Sequence, residues 1–394
     1  MGVRSVEEYT AHVAELLSPL LSPPPVRVDL SDALGRVLAE DVHSPVDLPL
    51  FRNSQMDGYA VDAASVAAAP VTLPVLGVLA AGPAAPARHT PGTALRIMTG
   101  AALPEGADAI VPVEDTAGDH RSVTVHRARE AGEFVRERGS DVRAGMLLLS
   151  SGNRLEPRHL AVLAAVGLGA VVVRRRPRVA VITTGAELVD AGTTPKPGQI
   201  FDSNGLALAS GARANGADVV VVQRSSDDPG VFRALLARAV SAADLVLTSG
   251  GVSMGDFEVV KDVLAPLGGQ FGHIAMQPGG PQGATVVDGV PVLSFPGNPV
   301  STLVSFEMFA RPHLRAAAGL PATEHYTLPL AGPLRSPQGK RQFLRGRVAG
   351  DAVELVSGPG SHLVAAMAWA DVLIDVPADV TALDTGELVK VVPL

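Results

Sequence analysis

The sequence predicts a multi-domain α/β protein: a central doubly wound parallel α/β domain, a helical N-terminal element, a β-rich second domain and a small C-terminal β-barrel-like domain. Three observations carry this. Between Arg178 and Ala317 apolar strand patterns alternate with amphipathic helix patterns, which is the signature of βαβ units. From Val46 the chain turns to prolines and short apolar alternations, and it returns to β character from about Glu324. The chain has 394 residues, 47% of them hydrophobic, which is enough for several cores. The boundaries that follow are 1–45 with 140–177 (helical), 46–139 (β-rich), 178–323 (α/β) and 324–394 (C-terminal β).

In chain order, Ser5-Val-Glu-Glu8 is a capping-box pattern that opens a helix to about Leu21, with Val13, Leu16, Leu17 and Leu20 on one face. Ser22-Pro-Pro-Pro25 stops it. A second helix is expected at Ser31–Leu38. In the β-rich part, Val71–Leu79 and Ser122–His126 read as strands. Glu156–Gly167 reads as a helix, with Pro157 in its first turn and Gly167 as its stop, and is expected to pack with the N-terminal helices. The α/β part follows as strand Arg178–Thr183, helix Asn204–Ala214, strand Asp218–Val222, helix Pro229–Ala242, strand Asp244–Leu247, helix Phe257–Leu264, strand Pro291–Phe295 and a long helix Val300–Ala317. C-terminal strands are expected around 325–330, 343–348, 352–356 and 388–392.

Composition excludes several functions. The chain has no cysteine, so disulfides, thiolate metal sites and cysteine nucleophiles are absent, and any metal would sit on oxygen or imidazole. A net charge of −8 argues against a general nucleic-acid or anionic-membrane binder. The one basic run, Arg174-Arg-Arg-Pro-Arg178, leads straight into a strand and reads as a solvated joint. The 41 glycines and 32 prolines are scattered as turns instead of clustered as low-complexity tracts. No apolar run is long enough to span a bilayer, and the N-terminal stretch lacks a signal-peptide core, so a cytoplasmic protein is expected.

The chemistry concentrates at strand ends. Thr183-Thr-Gly-Ala-Glu-Leu188, Thr248-Ser-Gly-Gly-Val-Ser253 with Asp256, and Phe295-Pro-Gly-Asn-Pro299 each follow a strand, and ligands of open α/β sheets bind beyond the carboxyl ends of their strands. These motifs should line one crevice. Ser249, Gly250 and Gly251 leave backbone N–H groups approachable by an anion. Glu187 would stand at the rim, and Asn298 would be presented by a loop that Pro296, Gly297 and Pro299 shape, or would serve as a local turn cap. In the β-rich part, Asp57 precedes Gly58 in a polar turn, Thr99 precedes Gly100, and Asp141 follows a third such turn. Near the C-terminus Arg341, Arg345 and Arg347 with Ser357-Gly-Pro-Gly-Ser361 could hold a small oxyanion.

Taken together, Asn53-Ser-Gln-Met-Asp-Gly-Tyr-Ala60, Arg96-Ile-Met-Thr-Gly100, Thr184-Gly-Ala-Glu-Leu188, Thr248-Ser-Gly-Gly-Val-Ser253 and Phe295-Pro-Gly-Asn-Pro-Val-Ser301 resemble the molybdopterin molybdenumtransferase family, which includes the gephyrin E domain. Order and spacing match over essentially the whole chain. The resemblance implies a homodimer of four-domain subunits that inserts molybdate into adenylylated molybdopterin with release of AMP, helped by a divalent cation such as magnesium. It also implies roles. Asp57, Thr99, Asp141 and Glu187 would be catalytic, with Asp57 and Glu187 as metal ligands. Asp227, Ser249, Gly250, Gly251, Ser253, Asp256, Glu258, Pro296, Gly297, Asn298 and Pro299 would bind the pterin substrate, and Arg345 and Ser361 would contact molybdate. The site would be shared between the α/β domain of one subunit and the second domain of the other.

One stretch departs from the family pattern. Where many members carry lysines, this chain reads His273-Ile-Ala-Met-Gln-Pro-Gly-Gly-Pro281, so His273, Gln277 and Gly280 replace cations. The departure leaves open a pterin-binding or scaffold paralogue without turnover. A pterin adenylyltransferase on the same α/β domain is a further alternative, against which the four-domain length and the Asp57 and Thr99 motifs argue.

Overall fold

The computed structural model describes residues 3–83, 87–252 and 258–394. The expected site residues Ser253 and Asp256, and the start of the helix expected from Phe257, lie outside the described residues. The chain forms two compact units, residues 27–172 and residues 1–26 with 173–394.

In the first unit a six-stranded sheet runs in the order Ala109–Pro112, Gly58–Val61, Ala94–Ile97, Val71–Leu79, Ser122–Val125, Thr116–Gly118. Alternation along these strands sends Tyr59, Val61, Ala94, Val111 and Val123 into one core and Ala60, Leu95, Ile97 and Ile110 into another on the opposite face. Both faces are therefore buried near Asp57. The helix expected at Ser31–Leu38 is only a single 3-10 turn, Leu30–Asp32, because Gly35 takes a left-handed conformation and the chain leaves the helical path. The helix Pro157–Ala165 forms as expected.

The second unit begins with the helix Val6–Leu17, whose capping box closes through Ser5 and Glu8 in both directions. Val6, Tyr9, Val13 and Leu17 join the core of the α/β domain, where Tyr9 meets Phe309 edge-on at 4.9 Å and donates to the Gly283 carbonyl. The apolar face of this helix is satisfied by the α/β domain, so it belongs to that unit.

The α/β sheet has the order Asp218–Ser225, Arg178–Thr184, Leu245–Ser249, Val290–Phe295, Pro281–Val287, Gln270–His273. The first four strands are parallel, and the last two are antiparallel to their neighbours, so the sheet is mixed where a purely parallel one was expected. The two-residue Asp288-Gly289 turn, with both residues at positive φ, makes that hairpin. Helices Asn204–Ala214 and Pro229–Ala242 run as expected. The long helix is interrupted: Pro299–Ser305 passes through a wider π turn, Phe306–Ala310, into Arg311–Ala318. Pro312, which lacks an N–H to donate back along the helix, accounts for the wider turn.

The C-terminal sheet has the order Met276–Gln277, Arg341–Ala349, Val372–Val376, Leu388–Pro393, Tyr326–Pro329, with Ala352–Leu355 paired to Arg341–Ala349. A bridge from Leu330 to Val353 brings its last strand back to Ala352–Leu355, which gives the barrel-like form. Its first strand comes from the α/β domain, so residues 274–281 tie the two sheets together. Among the described residues no helix is long and apolar enough to cross a membrane.

Candidate functional site

A cavity of about 860 Å³ opens at the carboxyl edge of the parallel strands, between the α/β domain and the C-terminal sheet. Every strand-end motif contributes to it. Glu187, Asp227, Ser249, Gly250, Gly251 and Glu258 line it, as do Pro296, Gly297, Asn298, Pro299 and Ser361. The shared location follows from the parallel register, in which Thr183 pairs with Ser249 and Ser249 with Phe295, so the loops that follow leave the sheet on one edge.

Hydrogen bonds fix the floor. Asn204 donates to Ser249 Oγ at 2.9 Å and to the Gly297 carbonyl at 2.8 Å. Thr302 Oγ1 donates to the Pro296 carbonyl at 2.6 Å and lies 3.1 Å from Ser249 Oγ. Two strand-end loops are thus stapled together by buried hydroxyls whose partners are satisfied. Gly250, at φ +94°, has no room for a side chain, since a Cβ there would stand 2.6 Å from Thr184 Oγ1 and 2.7 Å from the Thr184 carbonyl. Asn298 is the backbone N-cap of Pro299–Ser305, yet its side chain makes no capping bond and remains exposed in the cavity. The ligand role stays open to it, and the turn-cap alternative loses its basis.

The acidic residues differ in their freedom. Asp227 Oδ2 accepts from the Ala186 N–H at 3.3 Å and so steadies the loop that carries Glu187. The Glu187 carboxylate folds over Gly185, both oxygens 2.7 Å from where a Cβ would lie. No hydrogen bond from a described residue occupies it. Asp202, which the sequence reading missed, also lines the cavity, with Oδ2 accepting from Thr183 Oγ1 at 2.6 Å and Oδ1 from the Gly205 N–H at 2.9 Å. Its signal was the Asp202-Ser-Asn204 sequence at a helix start, a common capping pattern.

Arg345 requires a correction. It does not line the cavity. Its guanidinium is fully buried beneath the 357–361 loop, donating to Ser357 Oγ and to the Gly358 and Gly360 carbonyls. Among the described residues no carboxylate pairs with it, and burial lowers its pKa. The short reach from its strand to that loop uses its donors on carbonyls, so Arg345 braces the loop while Ser361 lines the cavity. Val300 N–H donating to the Ser361 carbonyl at 3.1 Å docks the same loop on the helix start.

His273, Gln277 and Gly280, singled out in the sequence, all line the cavity. The His273 ring covers Gly280, with Nε2 2.5 Å from where a Cβ would be. Gln277 Oε1 accepts from Gln342 at 2.7 Å. Lys340 and His362, neither foreseen, complete this side, and a loop lysine before a strand carries no sequence signal of a role.

In the other unit Asp57 and Thr99 meet directly. Thr99 N–H and Oγ1 donate to Asp57 Oδ1 at 2.7 and 2.8 Å, and these bonds hold the Asp57 carboxyl below its usual range. Gly58 is required beside it, because a Cβ would strike the Val111 carbonyl at 2.1 Å. Asp141 is exposed in the same unit, with its N–H bonded to the Leu48 carbonyl. Among the described residues no group of three His, Cys, Asp or Glu could hold a metal by itself.

Residues 4–167 match the MoeA N-terminal region (domain I and II), residues 180–316 a probable molybdopterin binding domain, and residues 327–394 the MoeA C-terminal region (domain IV). The chain is 44% identical to molybdopterin molybdenumtransferase 2 of Mycobacterium tuberculosis, over 99% of each chain. It is 35% identical to molybdopterin molybdenumtransferase 1 of the same organism, over 99% of this chain and 98% of that one. A crystal structure of a molybdopterin biosynthesis MoeA protein from Pyrococcus horikosii superposes with a TM-score of 0.79 at 34% identity, covering 100% of this chain and 99% of that one.

Proposed function

The chain belongs to the molybdopterin molybdenumtransferase family, and on that premise we propose that it inserts molybdate into adenylylated molybdopterin and releases AMP. The observation that carries this is the cavity at the carboxyl edge of the α/β sheet, where three strand-end motifs from the segment that matches a molybdopterin-binding domain converge with Ser361 from the segment that matches the MoeA C-terminal region.

Each group then has a task. Gly250 and Gly251 let the substrate approach the backbone where a side chain would block it. Asn204, Ser249 and Thr302 hold the 296–298 loop in one geometry, so that Asn298 meets the substrate without reorganising. Glu187, whose carboxylate accepts no hydrogen bond from the described residues, can accept a proton or a cation. Thr99 keeps Asp57 ionised and aimed by two bonds to one oxygen, which leaves the second oxygen for a ligand.

A divalent cation such as magnesium belongs to the same proposal. Asp57 and Glu187 fit it, as hard oxygen donors with open positions, for magnesium binds through one or two carboxylates plus waters and phosphate oxygens without an all-protein cage. When bound, it would neutralise phosphate charge and polarise the bond to AMP. The homodimer and the cytoplasmic setting are further parts of the reading and rest on the family likeness. In that assembly Glu187 of one subunit works with Asp57 of the partner subunit.

Incubating the protein with adenylylated molybdopterin, with and without molybdate, tests the reading. AMP should appear only when molybdate is present. Retained pterin binding with no AMP at any molybdate concentration would favour the second reading, a pterin-binding scaffold, which the exchange of lysines for His273, Gln277 and Gly280 motivates.

A further inference from the structure

The cavity is electrically divided. Glu187 and Asp227 follow the strands Arg178–Thr184 and Asp218–Ser225, at one end of the sheet order, whereas His273 closes the strand at the opposite end. Lys340 belongs to that second end: its chain neighbour Arg341 pairs with Met276 and donates its N–H to the Ala275 carbonyl at 2.9 Å. Among the described residues lining the cavity, Lys340 is the only lysine or arginine.

The neighbouring cations are committed elsewhere. Arg341 pairs with Asp375 and Glu7, Arg347 pairs with Glu354, and Arg345 is buried under its loop. Lys340 has no carboxylate within ion-pair distance among the described residues, and its side chain is exposed. An anion held in this cavity finds its lysine charge at this residue, at the opposite end of the sheet order from Glu187 and Asp227.

We propose that Lys340 is the charged donor for the tetrahedral oxyanion of the reaction, molybdate or the phosphoryl group of the nucleotide. Three rotatable N–H donors on a long stem reach an oxyanion without a fixed fork geometry. Ser361 and His362 from the 357–362 loop, and Gln277 and His273 from the α/β domain, line the same cavity and add neutral donors. The proposal rests on the functional reading above and assigns its oxyanion contact to one residue.

Equilibrium dialysis of the full-length protein against molybdate alone and against AMP alone, on wild type, Lys340→Ala and Lys340→Arg, is the test, with the molybdate half-saturation of AMP release as a second readout. Loss of one charge-assisted contact should weaken binding by roughly 10-fold or more in Lys340→Ala, with Lys340→Arg recovering most of it. Weakening confined to molybdate assigns Lys340 to molybdate, and weakening confined to AMP assigns it to the phosphoryl group. Unchanged dialysis for both anions together with an unchanged half-saturation would overturn the proposal. If wild type releases no AMP at all, the functional reading fails while the dialysis still decides the role of Lys340.

Discussion

Replacing Gly250 by alanine places one methyl group where the structure has none to spare. The backbone there lies at φ +94°, which costs a residue with a Cβ about 1–2 kcal/mol. The added carbon would also lie 2.7 Å from the Thr184 carbonyl, where ordinary contact begins at 3.4 Å, so one of the two strand ends must retreat by the difference, about 0.7 Å. Overpacking of that kind costs about 1–3 kcal/mol, giving a combined loss of about 2–5 kcal/mol. Gly297→Ala is the control: it sits in the same floor, but its Cβ would come no nearer than 3.4 Å to Gly250 Cα and 3.9 Å to Gly250 N, both ordinary contacts. That change should stay within about 0.5 kcal/mol of wild type. Urea unfolding followed by the emission of Trp369, the single tryptophan and a member of the same compact unit, measures both. Titration with adenylylated molybdopterin then shows whether displacing the loop also closes the cavity to its ligand. Equal stability and equal affinity for the two variants would refute the argument that a close backbone approach at Gly250 builds this floor.

Asp57→Asn should leave folding intact, because the side chain is exposed, while lowering AMP release by about 10²–10³ as expected for one electrostatic group. Subunit exchange between Asp57→Asn and Glu187→Gln proteins should recover part of the activity, since mixed dimers would hold one intact site; no recovery after verified exchange would remove the shared-site arrangement. Arg345→Ala should loosen the 357–361 loop, raising its amide hydrogen exchange and costing about 2–5 kcal/mol through lost packing and orphaned carbonyls. A raised molybdate half-saturation with unchanged exchange in that loop would instead make Arg345 a direct contact.

Much of this protein was legible in the chain itself. Period and punctuation are local properties, so the helices Asn204–Ala214 and Pro229–Ala242 and the strand after Arg178 stand where the apolar pattern puts them. The rule that ligands collect at the carboxyl ends of parallel strands was enough to bring Glu187, Ser249 and Asn298 to one cavity. Non-local pairing decided the rest. Val6–Leu17 could bury its apolar stripe against either of two partners with equal local logic, and only the shape of the α/β core selects it. The hairpin of Pro281–Val287 and Val290–Phe295 makes the sheet mixed, because strand direction depends on the length and twist of a turn as well as on the apolar run. Among the basic residues from Lys340 to Arg347, sequence cannot tell which charge is spent on a neighbour. The fold gives Arg341 to Asp375 and Glu7, hides Arg345 under carbonyls, and leaves Lys340 facing the cavity, since a cation's role is set by the partners that three-dimensional packing brings within reach.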